Sequence, residues 1–461
     1  MKSKNVWKLF VVLIALALVA AACSDDDGET TTTAEAAEET TTSAAAAEET
    51  TTTSEAVEEL SGEVEVVWVR GSDHPEGQAL LEVLDAFTAA TGVTVNYTGL
   101  GDDLPTIVST RVEGGDPPDV AMLPQPGLLT DFATLGALEP VSDEVDANLD
   151  ANFAPVWKDL ATRDGVTYGV YFKAGNKSLM WYNTDVIEDL DITLPETWEE
   201  LQTVSQTLVD NGLVPMSVAG ADGWTLSDWF ENIFVRTAGQ EAYEQLVNHE
   251  IPWTDPSVKT AFEAMGEVIG NPDFVNGGLD GALQIGFVAA IVNAFGDPSQ
   301  AVLMYGPGDV GALAAEEAGA VPGETMSFFA FPSIDGSPDA VLGGGDVAVA
   351  MTDNPNAQAL LEFLSTPEAA EIWVPLGGFT SPNQNVDLSL YPDELSRLTA
   401  EGLVNAKIFV FDLSDLVPSA FGSTTGAGIW GNIQTWLEDP SNVDAVLEQL
   451  EAEAEAAQPM G

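Results

Sequence analysis

The stretch "VEVVWVRGSDHPEGQALLEVLDAFTAATGVTVNYTGL", residues 64–100, decides the fold class. Its first eight residues, Val64 to Gly71, form a largely apolar run that reads as a buried strand. Ser72 or Asp73 is a candidate N-cap for a helix, with Pro75 in its first turn. Leu80, Leu81, Leu84 and Phe87 recur at helical spacing, and Gly92 ends the element. Residues 93–100 then alternate in the manner of a second strand. A helix through "LPTIVSTRVEGG" (104–115) and a short apolar strand in "PPDVAMLP" (117–124) continue the rhythm. Strand, helix, strand, helix, strand implies parallel pairing in a layered α/β sheet.

Further along, Val166–Tyr182 reads as a strand interrupted at "KAGNK" (173–177). A helix follows with Thr197 as N-cap and Glu200 three residues later, the spacing of a capping box. "LVPMSVAG" (213–220), "ETMSFFAFPSIDG" (324–336) and "VLGGGDVAVAM" (341–351) read as strands, and "WTLSDWFENIFVRTAG" (224–239) as a helix. No repeat of fixed period is present.

Upstream the character changes. Lys2, Lys4 and Lys8 precede an apolar run, Leu9–Ala22, that is shorter than the roughly 20 residues needed to cross a bilayer and has the layout of a secretory signal. Cys23 is the only cysteine in the chain, so disulfides are excluded and stability must come from packing. Its position directly after small residues resembles the lipobox of bacterial lipoproteins, with Ala20 where that motif usually has Leu. The alternative is a plain signal peptide (1–22) with an incidental thiol. Residues 23–61, rich in Thr, Glu and Ala, cannot bury enough surface to offset ordering and are expected to be a disordered tether.

The 400 residues from Gly62 suffice for two domains. Without the three signal lysines, 10 basic residues stand against 75 acidic ones, a net charge of −65. Such a surface repels nucleic-acid phosphates and anionic lipid heads. Solubility in a salty environment is its plain explanation, and each remaining Lys or Arg becomes conspicuous.

Eight motifs occur in a telling order: "TGVTV", "GGDPPDVAML", "LGALEPVSD", "YGVYFKAGNKSLMWYNTDV", "LPETWEEL", "FFAFP", "GGGDVAVA" and "NAQALLEFLSTPEAAEIW". In that order the chain resembles the extracellular solute-binding proteins of bacterial ABC importers, within them the carbohydrate-binding subunits, and among those the α-glucoside-binding type. The resemblance covers nearly everything after residue 62. It implies a two-lobe α/β fold of type II, maltose-binding-protein-like, with hinge segments and an interlobe cleft. By analogy the chain crosses between lobes near 172–174, 338–340 and 377–379. Lobe I is then 62–172 plus 339–378, and lobe II is 173–338 plus 379–461. The implied function is capture of a sugar or oligosaccharide by lobe closure, without bond chemistry or cofactor, and delivery to a permease. The protein would be a monomer on the outer face of the cell membrane, or in the periplasm, lipid-anchored through Cys23.

Sugars present flat C–H faces and many hydroxyls, so their sites combine aromatic platforms with carboxylates and amides. Asp73, after the first strand, is a candidate, as ligand contact or as helix cap. Gln125 follows the third strand. Tyr171, Lys173 and Asn176 share the interrupted stretch, where Lys173 donates to hydroxyls or pairs with one of the many acids. Trp224 lies outside the apolar stripe of Trp229, Phe230, Ile233 and Phe234, and is the better platform, with Asp228 beside it or facing solvent. The resemblance adds Tyr305 at the cleft base. Three glycines before Asp346 permit close backbone approach, to a ligand or within a tight turn. Phe379, at the last crossing, is a second possible platform.

Two other classes compete. An exported glycoside hydrolase is compatible with the abundant carboxylates, but the two histidines, His74 and His249, are far apart in sequence. Neither a metal-ligand cluster nor a G-x-S-x-G elbow appears. Alternatively the same fold holds an osmolyte, a polyamine or ferric ion. Iron would need a tyrosine cluster, whereas a polyamine would exploit the acidity.

Overall fold

The computed structural model describes residues 60–457. The signal, Cys23 and nearly all of the tether lie outside the described residues. Among the described residues no helix is long and apolar enough to cross a membrane.

The opening βαβ unit forms as its pattern predicts. Strand β1 (Glu63–Trp68) pairs in parallel with β2 (Thr94–Gly99) and β3 (Val120–Leu123). The intervening helix Pro75–Thr91 buries Leu80, Val83, Leu84 and Phe87, with Val83 in the place expected for Leu81, and Gly92 closes it in the left-handed conformation. Its N-cap is His74, not Ser72 or Asp73, because Pro75 occupies the first helical position and leaves the preceding residue to accept the Glu76 amide at 3.3 Å.

After the two-residue hairpin strands β4 (Thr162–Arg163) and β5 (Val166–Thr167) come β6 (Gly169–Asn176) and β7 (Leu179–Asn183), separated at Lys177–Ser178. The strand expected over 213–220 is reduced to β8 (Met216–Ser217), which joins β9 (Leu303–Tyr305), β7 and β10 (Met326–Ala330) in a four-stranded sheet. The helix Trp198–Asp210 carries the expected Thr197–Glu200 capping box.

The long strand β11 (Ala340–Ala350) organises the molecule. One edge pairs antiparallel with β6 along Gly343–Val349. The other edge is shared. Ala340–Gly343 pairs in parallel with β12 (Ile408–Phe411), and Val347–Ala350 pairs antiparallel with β3. Between these partners the shared edge of Gly344, Gly345 and Asp346 carries no ladder. The same strand serves two cores. Val347–Ala350 pack with β1, β3 and the helix Pro75–Thr91, whereas Ala340 and Leu342 pack with Val410 and the helix Trp224–Ala238. The segment after Gly378 is divided in the same way. Phe379, Val386, Tyr391, Ala400 and Leu403 join the first core, and Leu413, Val417, Ile429 and Trp436 join the second. The sequence reading placed everything after 378 with the second lobe. Most buried apolar side chains of 379–403 face the first core, with Phe379 stacked on Trp373 at 4.5 Å, while Leu395 packs with Leu179 and Trp181.

Candidate functional site: a polar strip at the unpaired edge of β11

Three strands point their carboxyl ends at the gap in the β11 edge. β12 runs parallel to β11 and ends at Phe411. β3 runs antiparallel from the other side and ends at Leu123, with β1 parallel to it. Loops leaving such converging ends are where open α/β sheets bind ligands. They supply Arg70 after β1, Gln125 after β3, and Asp412, Ser414 and Asp415 after β12.

The facing ribbon supplies the floor. Asp346 pairs with Lys173 but Val347 pairs with Tyr171, so Phe172 is the extra residue of a β-bulge. A bulge resets side-chain alternation. Beyond it Lys173, Gly175 and Lys177 lie on the partly open face, and Ala174, Asn176 and Ser178 on the buried one. Before it, Tyr171 turns into the first core against Trp157 and Phe411. A Cβ built on Gly175 would meet no heavy atom within 4 Å, and one on Gly344 would stand 2.8 Å from Cε of Lys177. The lysine therefore lies across Gly344, and the space over Gly175 is open.

Charged groups flank that opening on both sides. On one side Lys173 pairs with Glu76, which also accepts from Arg70 Nε at 3.0 Å. Lys173 Nζ stands 5.7 Å from the Trp68 ring centroid, and Asp346 accepts from Trp68 Nε1 at 3.2 Å. Burial acts to raise the Glu76 carboxyl, but Lys173 and Arg70 outweigh it and hold it below its ordinary value. Burial likewise raises Asp346 and Asp309, and for these the nearby cations do not fully compensate. Asp309 precedes the helix Val310–Glu317, and a groove of about 480 Å³ opens there between His74, Glu76, Asp309, Leu313, Ile372 and Gly377.

On the other side Lys177 pairs with Asp412 and, at 3.2 Å, with Asp228. Its ammonium lies 5.4 Å from the Trp224 ring centroid. Trp430 Nε1 donates to Ser414 Oγ at 3.2 Å, and the indole is partly exposed. Glu231 accepts from Tyr243 and from the Leu413 and Ser414 amides.

The structure brings together Lys173, Asp346, Trp224 and Asp228 of the residues singled out from sequence, with Gln125 at the end of β3. Asp228 is fully buried behind Lys177 and does not reach the open face. Trp224 is the first residue of its helix and meets Phe287 edge-on at 4.9 Å. Tyr305 is buried and donates to the Lys177 carbonyl at 2.6 Å. Asn176 turns inward and accepts from the Ser178 amide at 3.0 Å. Tyr171 and Phe379 are core residues. Asp73 is exposed on the loop after β1. Sequence reasoning passed over Arg70, Glu76, Asp309, Lys177, Asp412 and Trp430. The period-two pattern Lys173–Gly175–Lys177 was the available signal for one of them.

Comparison with known proteins agrees with this architecture. The profile of the bacterial extracellular solute-binding protein family matches residues 71–371. The osmoprotective compounds-binding protein GgtB of Synechocystis is 37% identical over 352 residues, covering 75% of this chain and 82% of GgtB. The α-glucosides-binding periplasmic protein AglE of Rhizobium meliloti is 33% identical over 384 residues, 80% of this chain and 82% of AglE. The bacterial solute receptor AcbH superposes with a TM-score of 0.75 at 21% identity, over 86% of this chain and 99% of AcbH. The fold is accordingly the two-lobe type II class of maltose-binding-protein-like receptors. With β11 shared by two cores and a polar strip at the gap between them, the chain belongs to the bacterial extracellular solute-binding proteins, as a receptor and not an enzyme.

Proposed function

We propose that the protein captures a neutral polyhydroxylated solute, an α-glucoside or an osmoprotective compound, and hands it to an ABC permease. The observation that carries this reading is the open strip over Gly175, bordered by Lys173, Lys177 and Asp346 and overlooked by Trp224 and Trp430. Paired hydroxyls suit a row of alternating donors and acceptors, and a sugar's C–H face suits an indole. GgtB and AglE, named for such ligands, support the class. Two lobes turning about β6 and β11 would close on the solute, so that contacts made only in the closed state favour closure. Residues 379–403 belong with the first lobe in this reading because Phe379, Val386, Tyr391, Ala400 and Leu403 pack there, with Leu395 alone turned to the cluster around Trp181.

Isothermal titration with maltose, trehalose, sucrose, glycine betaine and spermidine tests the reading. Heat from at least one saccharide is expected, and heat from the betaine alone would overturn the polyhydroxylated class. A polyamine is the second reading, since Glu76, Asp309, Asp346, Asp412 and Asp415 outnumber Arg70, Lys173 and Lys177 around the strip. Heat from spermidine alone would select it.

We further propose that Cys23 is acylated after signal cleavage and that the monomer is held by 23–61 at the outer face of the membrane. Labelling cells with a fatty-acid analogue should mark the wild type and spare Cys23→Ala, which should appear in the medium. Retention of that variant on the membrane would refute the anchor.

A further inference from the structure

Behind Lys177 lies a charge problem that ligand binding does not use. Asp228, Glu231 and Asp412 are each at most 1% exposed, and one carboxylate oxygen from each lies within 4.8 Å of the others. Lys177 is the one cation paired with any of the three among the described residues. The donors are unevenly shared. Glu231 accepts from the Leu413 amide at 2.6 Å, the Ser414 amide at 3.1 Å and Tyr243 Oη at 2.9 Å. Asp412 accepts from Lys177, from Ser414 Oγ at 2.8 Å and from the Asp415 amide at 3.1 Å. Asp228 Oδ1 has Lys177 alone, and its Oδ2 is buried with no donor at all. A buried carboxylate oxygen left without a donor is costly, and two adjacent buried carboxylates do not both ionise readily. A proton on Asp228 removes both costs, since the acid then becomes a donor toward Asp412.

We propose that Asp228 is a protonated positioning residue whose carboxylic acid donates to Asp412 and so holds Lys177 over Trp224 at the edge of the binding strip. The acids facing it favour that state, and Lys177 opposes it. Asp412 and Asp415 come from the segment after β12, Glu231 from the same helix and Tyr305 from β9, with Lys177 the single opposing charge. Burial, first, and then Asp412 raise the Asp228 carboxyl well above its ordinary range, whereas at Asp412 burial is outweighed by Lys177, first, and then by the hydrogen bond from that acid, which lower it.

The sign of the pH dependence follows. A folded-state value raised above the unfolded one makes ionisation oppose folding, so Asp228 erodes stability as pH rises from the ordinary aspartate range toward the folded value. Asparagine reproduces the neutral acid as a donor and does not titrate.

The test needs no ligand. Wild type, Asp228→Asn and Asp228→Ala are compared as the full chain by thermal melting from pH 5 to pH 8 and by infrared difference spectroscopy at pH 7. The wild-type minus Asp228→Asn difference should carry the carbonyl stretch of one protonated carboxylic acid. Asp228→Asn should melt at or above the wild type, by a margin that grows with pH, and Asp228→Ala should melt lower by a few degrees. Absence of that infrared difference, or equal destabilisation by Asn and Ala, overturns the proposal. So does a wild-type melting point that falls on dialysis against EDTA while Asp228→Asn is unaffected, since a bound cation would then be the neutralising charge.

Discussion

Gly175 faces Gly344 across the β6–β11 ladder, with Lys177 lying over the second glycine and open space over the first. Two residues without side chains, set between two buried ion-pair groups, are what give the strip its floor.

Filling that floor should separate binding from folding. Gly175→Val has room for its Cβ and a favourable strand propensity. Urea unfolding should shift by no more than about 0.5 kcal/mol. Affinity for the solute found by titration should fall at least tenfold, about 1.4 kcal/mol. Undiminished affinity in the folded variant would move the site away from the ribbon.

Glu76 holds the other side together. Its replacement by Gln leaves Lys173 buried with Asp346 as its nearest acid, and removal of one partner from a buried pair costs about 3–5 kcal/mol. Because the folded-state Glu76 value is lowered from 4.5, its contribution is present above the unfolded value and is lost as pH falls through the folded one. Melting curves of Glu76→Gln should therefore be flatter than wild type on the acid side. An identical acid limb would show that Glu76 contributes nothing there.

The two indoles should differ. Both are half-buried; neighbours of Trp224 are the Lys177 ammonium and Phe287, whereas Trp430 is held through its N–H to Ser414 and packs on the second core. Trp430→Ala should weaken solute binding by roughly 1–3 kcal/mol, more than Trp224→Ala does. Trp224→Ala should lower the melting point as well. Titration and calorimetric scans of both variants decide this, and the reverse ranking would make Trp224 the platform.

Closure can be wedged. A Cβ at Gly127 would collide with the Val417 carbonyl oxygen and crowd that of Asp415, and one turn on Asp131 accepts from Ser419 Oγ at 2.8 Å. These contacts join a helix of the first core to the segment after β12, which packs in the second. Gly127→Val should enlarge the radius of gyration measured by small-angle scattering with ligand present, and weaken binding. A compact liganded variant would place Gly127 in a contact that persists when the lobes part.

Salt should stabilise the fold. At a formal net charge of −62 the surface repels itself, and screening shortens the Debye length from about 10 Å at 0.1 M to 3 Å at 1 M. The melting point should rise over that range of sodium chloride. A fall would mean that the surface ion pairs outweigh the repulsion.

The parts of the fold legible in the sequence were those set by local periodicity. Leu80, Leu84 and Phe87 announced their helix, and Thr197 with Glu200 its cap. The site was read less well, because its key event is not periodic. A single extra residue, Phe172, turns Tyr171 inward and Lys173 outward, although the two are spaced as neighbours on one face. Asp412 and Trp430 lie far along the chain from β6 and reach the strip only because β12 pairs with β11. Phe379 was read as a platform from its place at a crossing, yet Trp373 offered it a stacking partner in the first core.

The shared strand also bears on how such receptors can be recombined. A chimera that joins one half of this protein to the other half of a relative must cut β11 or replace it whole, and a cut orphans a hydrogen-bonded edge on one side. Junctions in the exposed turn at Asp335–Gly336, ahead of the strand, keep β11 intact and should yield soluble hybrids more often than junctions within Gly343–Asp346.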